Sequence, residues 1–342
     1  MRPLLHMASL SMLLSLPLGI SAQEPEEIQL QEAYRFPPFN EADPSYYFAH
    51  ISDIELLDGG LFAIADQFQY CVWIVREDGT LVEKIGRRGQ GPGEFERPWA
   101  VEWDAQSEIL WVMDMGRIQA FTGTDWSYLH MVRPTEVNPQ QMVAVGEKLL
   151  FTSLSQGRND LAYVYDHEGN ALPPIGNHLE REVAGYGIRL YKNGSIDATL
   201  DASDEPVICY VYRTFNDVLL LTGGTQVTIH IDDKTIQDVD RVNRRLARDW
   251  IDPDLGPTPS PLYRDVRITA DRMFIYEIQH PGNRILEVDF NGTVRRIWML
   301  PELDHGPLTF TIQTTDDIPI IWAAWSYPDP HIKKLVPVKQ RH

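Results

Sequence analysis

Cysteine is scarce in this 342-residue chain. The two present, Cys71 and Cys209, lie far apart inside apolar runs, QYCVWIV and VICYVYR. With no CxxC and no Cys–His spacing, a thiolate zinc site of the usual kind is excluded. The two cysteines fall in different copies of the repeat described below, so no disulfide between them is expected, and both read as small buried hydrophobes. Positive charge is also scarce: 30 Lys and Arg stand against 49 Asp and Glu, a formal net charge of −19. A field of that sign disfavours nucleic acid and anionic membrane as partners. The GxSxG elbow is missing, which argues against a hydrolase built on it, and so is the GxxxxGK phosphate loop.

A long apolar run occurs at one place, Leu4–Leu18, and Pro17 and Gly19 break it before it could span a bilayer. Arg2 precedes it, Ile20-Ser21-Ala22 ends it in small residues, and the acidic QEPEE follows. That order reads as a secretory signal with cleavage after Ala22. No cysteine follows the run, so a lipid anchor is not indicated. The expectation is a periplasmic or secreted protein, residues 23–342, with no membrane insertion after cleavage.

What is abundant is β-forming sequence: the chain is 43% hydrophobic, with nine Trp and fourteen Tyr. It repeats. Leu61–Ile85 reads strand, short turn, strand, Asp78-Gly79 turn, strand, and Ile109–Val132 reads the same way. An acid ends the first strand of each, Asp66 and then Asp114. Weaker copies run over Leu149–Ile175, Asn216–Asp232, Met273–Leu300 and PIIWAAWSYPDPHIKKLVPV near the C-terminus. A further strand is expected ahead of each copy: HISDIELLD, WAVEWDA, QMVAVG, PVICYVYR, DVRITAD and LTFTIQTTD. Six units of four antiparallel strands predict an all-β six-bladed propeller as one domain, first strands lining a central channel. The last unit lacks its outer strand, and Ile28–Phe36 is expected to supply it and close the ring. One segment, Thr235–Ile251, has helical spacing: Ile236, Val239, Val242, Leu246 and Trp250 share a face, and Thr235 with Asp238 suggests a capping box. It predicts a helix between blades four and five, read as a surface brace, with a lid over the channel as the alternative. Its arginines Arg241, Arg244, Arg245 and Arg248 read as a solvated face.

The run GRRGQGPGEFERPWAVEWDAQSEILWVMDMGRIQAF, from Gly86, resembles the NHL repeat and the six-bladed propeller proteins of bacterial envelopes that carry it. Gly89, Gly91, Pro92, Gly93, Phe95 and Pro98 match the crossover loop of that pattern. Asp114, Arg117, Ile118 and Phe121 match the two strands that follow. The loop's glycines permit a sharp turn from rim to axis, Phe95 is expected to plug between two blades, and Asp114 to cap the turn.

Such propellers mostly bind other molecules. The primary expectation is recognition of a protein, peptide or glycan without catalysis, by a monomer. The expected patch is Tyr70, Arg87, Arg88, Arg97, Trp99 and Arg117, joined by Gln67, Tyr47 and Trp325, and by Tyr46, Tyr186 and Tyr327. The alternative is a metal-dependent hydrolase or lactonase, because related propellers hold a channel Ca²⁺. Asp53, Glu102 and Asp265 on first strands are the candidate ligands. No other cofactor is expected. Amidating-lyase-like relatives use channel histidines on zinc, and the histidines here show no repeated first-strand placement.

Overall fold

A computed structural model describes residues 24–36, 47–135, 137–153, 159–180, 192–249, 259–278, 283–301, 306–314, 318–326 and 329–338. The expected signal segment, together with Tyr46, Tyr186, Trp250 and Tyr327, lies outside the described residues.

After an opening strand β1 (Glu26–Phe36) come five four-stranded antiparallel units and a sixth of three strands, which β1 completes. Blade one is β2 (Ile51–Leu57), β3 (Leu61–Asp66), β4 (Cys71–Arg76) and β5 (Leu81–Ile85). Blade two is β6 (Pro98–Asp104), β7 (Ile109–Asp114), β8 (Arg117–Thr122) and β9 (Tyr128–Val132). Blade three is β10 (Pro139–Val145), β11 (Lys148–Ser153), β12 (Asp160–Asp166) and β13 (Ala171–Asn177). Blade four is β14 (Gly194–Leu200), β15 (Pro206–Tyr212), β16 (Val218–Thr222) and β17 (Thr225–Ile229). Helix α1 (Lys234–Asp249) follows. Blade five is β18 (Tyr263–Ile268), β19 (Arg272–Glu277), β20 (Arg284–Asp289) and β21 (Val294–Met299). Blade six contributes β22 (Thr309–Gln313), β23 (Ile320–Trp325) and β24 (His331–Pro337). The six first strands touch one another in a closed ring, β2, β6, β10, β14, β18, β22 and back to β2. The fold is a six-bladed β-propeller, with the helix between blades four and five.

The core is divided among the six blade junctions. Middle strands are buried on both faces, so their residues alternate between two junctions. Phe62 and Ile64 of β3 pack toward blade six, Ala63 and Ala65 toward blade two. Cys71 and Cys209 are free and buried in separate junctions. Phe95 plugs the first junction, fully buried, with its ring 5.9 Å from Phe121. Gly86 (φ +88°) makes room for it, since a Cβ there would clash with the Phe95 ring.

Ring closure goes further than expected. Residues Leu30–Phe36 pair antiparallel with β24, as the missing outer strand of blade six. The preceding Glu26–Gln29 pair parallel with β21 of blade five. One strand therefore fuses blades five and six into an eight-stranded sheet.

Two expectations need correction. PVICYVYR is not the first strand of blade four: it is the second, β15, and β14 stands inside it. First strands face channel water on one side and carry polar residues, whereas second strands are the apolar ones, so the apolar run misled the assignment. In α1 the cap is Asp233, whose carboxylate accepts the Ile236 N–H at 3.0 Å, rather than Thr235. The buried side of α1 runs through Ile236, Asn243 and Ala247, while Val242 is exposed.

Candidate functional site

The acids ending the second strands place the mouth of the channel. Asp66 accepts the backbone N–H groups of Ala49 and His50 at 2.7 and 3.0 Å, where the chain enters β2. Asp114 does the same one blade on, accepting from Glu96 and Arg97 as the chain enters β6. Arg117, buried beside it, pairs with Asp114 at 2.7 Å and donates to the carbonyls of Gly89, Gln90 and Glu94. Its guanidinium is committed to the crossover loop, so Arg117 is a clamp rather than part of the expected patch.

Four of the six first strands then carry an irregularity that the sequence does not announce. In blades one, two, three and five one extra residue interrupts the pairing of first with second strand: Ser52, Trp99, Gln140 and Arg264. A bulge bends its strand and re-aims the extra side chain. All four line one cavity of about 420 Å³ at the axis. Below the bulges, first-strand side chains satisfy the neighbouring first strand's edge, which otherwise presents unpaired N–H groups. Asp53 accepts from Val101 at 3.1 Å, Gln141 from Ile196 at 3.1 Å, and Asp197 from Ile268 at 2.7 Å.

Deeper in the channel Asp53 and Asp265, two of the three candidate metal ligands, lie against a guanidinium, and the third, Glu102, lines the same cavity. Arg267 lies 3.1 Å from Asp265 and 3.8 Å from Asp53. It also reaches the Val266 carbonyl and the Thr309 hydroxyl. Thr309 donates toward Asp265 at 2.8 Å and Ser195 donates to the other Asp265 oxygen at 3.0 Å. An internal cation holds the place a Ca²⁺ would take, so the residues present do not fit the ion. Among the described residues no three His, Cys, Asp or Glu side chains are placed to hold a metal. Only His50 among the described histidines lines the cavity.

Burial in this narrow shaft outweighs the guanidinium for most of the carboxyls. Asp53 and Asp197 are each raised to about 6, chiefly by burial, with Arg267 opposing. Glu55 is raised to about 8 and Glu102 well above the usual carboxylate range, by burial first and then by the neighbouring carboxylates.

The cavity mouth has the opposite character. Arg213, in the β15–β16 turn, and Arg264, the blade-five bulge, both line it. Among the described residues neither guanidinium has a carboxylate or hydrogen-bond partner. Trp99 has a buried indole N–H with no acceptor among those residues.

Of the expected patch, Trp99 and Gln67 line the cavity among the described residues. Arg97 touches its wall by donating to Gln67 at 3.0 Å. Arg88 lies over the Tyr70 ring at 5.2 Å, and Arg87 pairs with Glu94 at 2.9 Å, both on the crossover side of blades one and two. Tyr47 is exposed and Trp325 is buried against His331. Sequence reasoning missed Arg213, Arg264 and Gln141, which come to line one cavity only when blades three, four and five pack around the axis.

Over residues 41–176 the sequence matches a family model described as a 6-bladed beta-propeller. The resemblance and the architecture agree. Solved structures align along most of the chain. A Bacteroides fragilis protein described as exported is 13% identical with a TM-score of 0.57, covering 92% of this chain and 99% of its own. The WD40 repeats of RRP9 are 10% identical with a TM-score of 0.55, covering 84% and 95%. Virginiamycin B lyase from Staphylococcus aureus is 13% identical with a TM-score of 0.52, covering 90% and 99%. At such identities these likenesses speak for the fold alone. No curated protein matches the sequence. Among the described residues no helix is long and apolar enough to cross a membrane.

Proposed function

We propose that the protein is an exported, non-catalytic propeller that binds a glycan in the mouth of its channel. The observation that carries this reading is the bulge-lined cavity itself. Four blades each bend a side chain into one space of about 420 Å³, within the range of small-ligand sites and too small for a folded partner. Beside its charged groups, its wall carries amides, a hydroxyl and a Trp: Gln67, Gln140, Gln141, Ser52 and Trp99. Such groups complement sugar hydroxyls and a sugar's apolar face better than an aliphatic ligand. Export is supported by the apolar N-terminal run and by the fold likeness to a protein described as exported. Ring closure by the chain's own β1 is consistent with a monomer.

The competing reading is a Ca²⁺-dependent hydrolase or lactonase, and one of the similar folds is a lyase. It requires Asp53, Glu102 and Asp265 on a metal, where Arg267 now sits. Thermal-shift and calorimetric screening of a panel of oligosaccharides and short peptides tests the proposal. Saccharides are expected to bind and Trp99→Ala to weaken them at least tenfold. Ca²⁺-stimulated hydrolysis of lactones or esters, or saccharide binding indifferent to Trp99→Ala, would overturn it.

A further inference from the structure

We infer that Arg213 and Arg264 together seat one singly charged oxyanion on the saccharide, a uronate carboxylate or a sulfate ester. This rests on the reading of the mouth as a glycan site and adds the class of glycan.

The two arginines are held together by main chain. The carbonyl of Arg213 accepts the N–H groups of both Leu262 and Tyr263, at 2.7 and 3.1 Å, just ahead of Arg264. Helix α1 clamps the segments on either side. Asn243 donates to the carbonyls of Thr214 and Ser260, both at 2.7 Å, and accepts the Ser260 N–H at 3.0 Å. The next turn residues are fixed as well, because Asp240 accepts the Asn216 N–H at 2.8 Å. The brace therefore positions the arginine pair, and the bulge at Arg264 directs that residue to the mouth.

Leaving these two guanidinia unpaired is out of keeping with the rest of the chain. Other arginines drawn into the body have carboxylates: Arg117 with Asp114, Arg244 with Asp217, Arg284 with Glu277, Arg267 with Asp265. The chain has acids to spare, 49 against 30 bases, yet among the described residues none is placed at Arg213 or Arg264. Partial burial and mutual repulsion with Arg264 hold Arg213 below its ordinary pKa. A cation pair of that kind is stabilised by an anion it can share, and guanidinium forks match planar or tetrahedral oxyanions through paired N–H donors.

Acids in the same wall limit the charge a ligand can bring: Asp53, Glu102 and Asp265 line the cavity with Arg213, Arg264 and Arg267, and their repulsion favours a singly over a multiply charged anion. Burial and the neighbouring carboxylates push the Glu102 carboxyl toward its neutral form.

The test measures affinity by calorimetry for gluco-, galacto- and manno-configured disaccharides in three forms: neutral, with one uronate, and with one 6-sulfate. The monoanionic forms are expected to bind roughly tenfold to a hundredfold tighter than the neutral ones, in low salt. Whichever acidic form binds tighter identifies the source of the oxyanion. In Arg213→Gln and Arg264→Gln the acidic-to-neutral ratio is expected to fall toward one. Their melting temperature is expected not to drop, because no partner is orphaned. Equal affinity for neutral and acidic sugars would overturn the inference and leave the glycan reading standing. So would a preference that survives both substitutions. Failure of every sugar to bind would overturn the glycan reading and this inference with it.

Discussion

Replacing Arg267 by glutamine removes the cation that faces the buried acids of the channel. Asp265 at 3.1 Å and Asp53 at 3.8 Å lose their counter-charge, and Thr309 loses a donor. Removing one partner of a buried pair costs about 3–5 kcal/mol. The side chains of Arg267, Asp53 and Asp265 are 17%, 16% and 9% exposed to channel water, which screens them and points to the low end, about 3 kcal/mol. At about 2 cal/mol/K of unfolding entropy per residue, roughly 300 ordered residues convert that to a fall in Tm of about 5 °C at neutral pH. The loss must depend on pH. Arg267 holds Asp53 and Asp197 down against burial, and both still lie at about 6. Without it their folded-state pKa values rise further above those of the unfolded chain. The native state then binds their protons more tightly, so stability falls as pH rises across that interval. Melting followed by Trp fluorescence should show a large deficit for R267Q at pH 8 and a small one at pH 5. An equal deficit at both would refute the electrostatic account and leave Arg267 a packing residue.

The remaining predictions concern the same framework. Glu55, raised to about 8 from an ordinary 4.5, should make the wild type lose stability as pH climbs through that window. Glu55→Gln should flatten the urea-unfolding profile and gain on the order of 2 kcal/mol at pH 8.5, and an unchanged slope would count against a buried carboxyl there. Asp114→Asn leaves Arg117 buried without its ion pair and should cost about 3 kcal/mol. It should also speed tryptic nicking at Arg87 and Arg88, and a nicking rate like that of the wild type would deny the clamp. Phe36, fully buried with Phe62 and Trp322 each 5.9 Å away, ties β1 to blade one. Phe36→Ala should cost about 3–5 kcal/mol by denaturant unfolding. A loss under about 1 kcal/mol would mean that the ring does not depend on that strand.

Local patterning decided much of the architecture. Alternating runs separated by Asp-Gly and Gly-Gly turns specify antiparallel strands through the two-residue period and the positive φ those turns require, and Gly79 indeed sits at φ +76°. The six-fold repeat of such units determined the propeller, and the isolated 3.6-period segment determined α1. Asp114 was legible as a turn cap, and Asp66 as its counterpart at the end of the equivalent strand, because a carboxylate at a strand end has backbone N–H groups within reach whatever the fold. Blade four was misjudged because hydrophobicity marks middle strands, buried on both faces, and says little of the polar first strands that line water.

The site belonged to the tertiary structure. Bulges at Ser52, Trp99, Gln140 and Arg264 follow from pairing register, which no single strand's residues declare. Arg213 and Arg264 are fifty-one positions apart, and only the packing of blade four on blade five, with two backbone hydrogen bonds, makes them one charge centre. Likewise Asp53, Glu102 and Asp265 looked like metal ligands while Arg267 was merely a nearby basic residue in the sequence. In the shaft, a few ångströms and the loss of water turned that residue into their counter-ion. The sequence by itself determined what kind of body this is, because strand and turn preferences act between near neighbours. Where charge is satisfied and where it is left open was decided only by the tertiary structure, because electrostatics acts through space between blades.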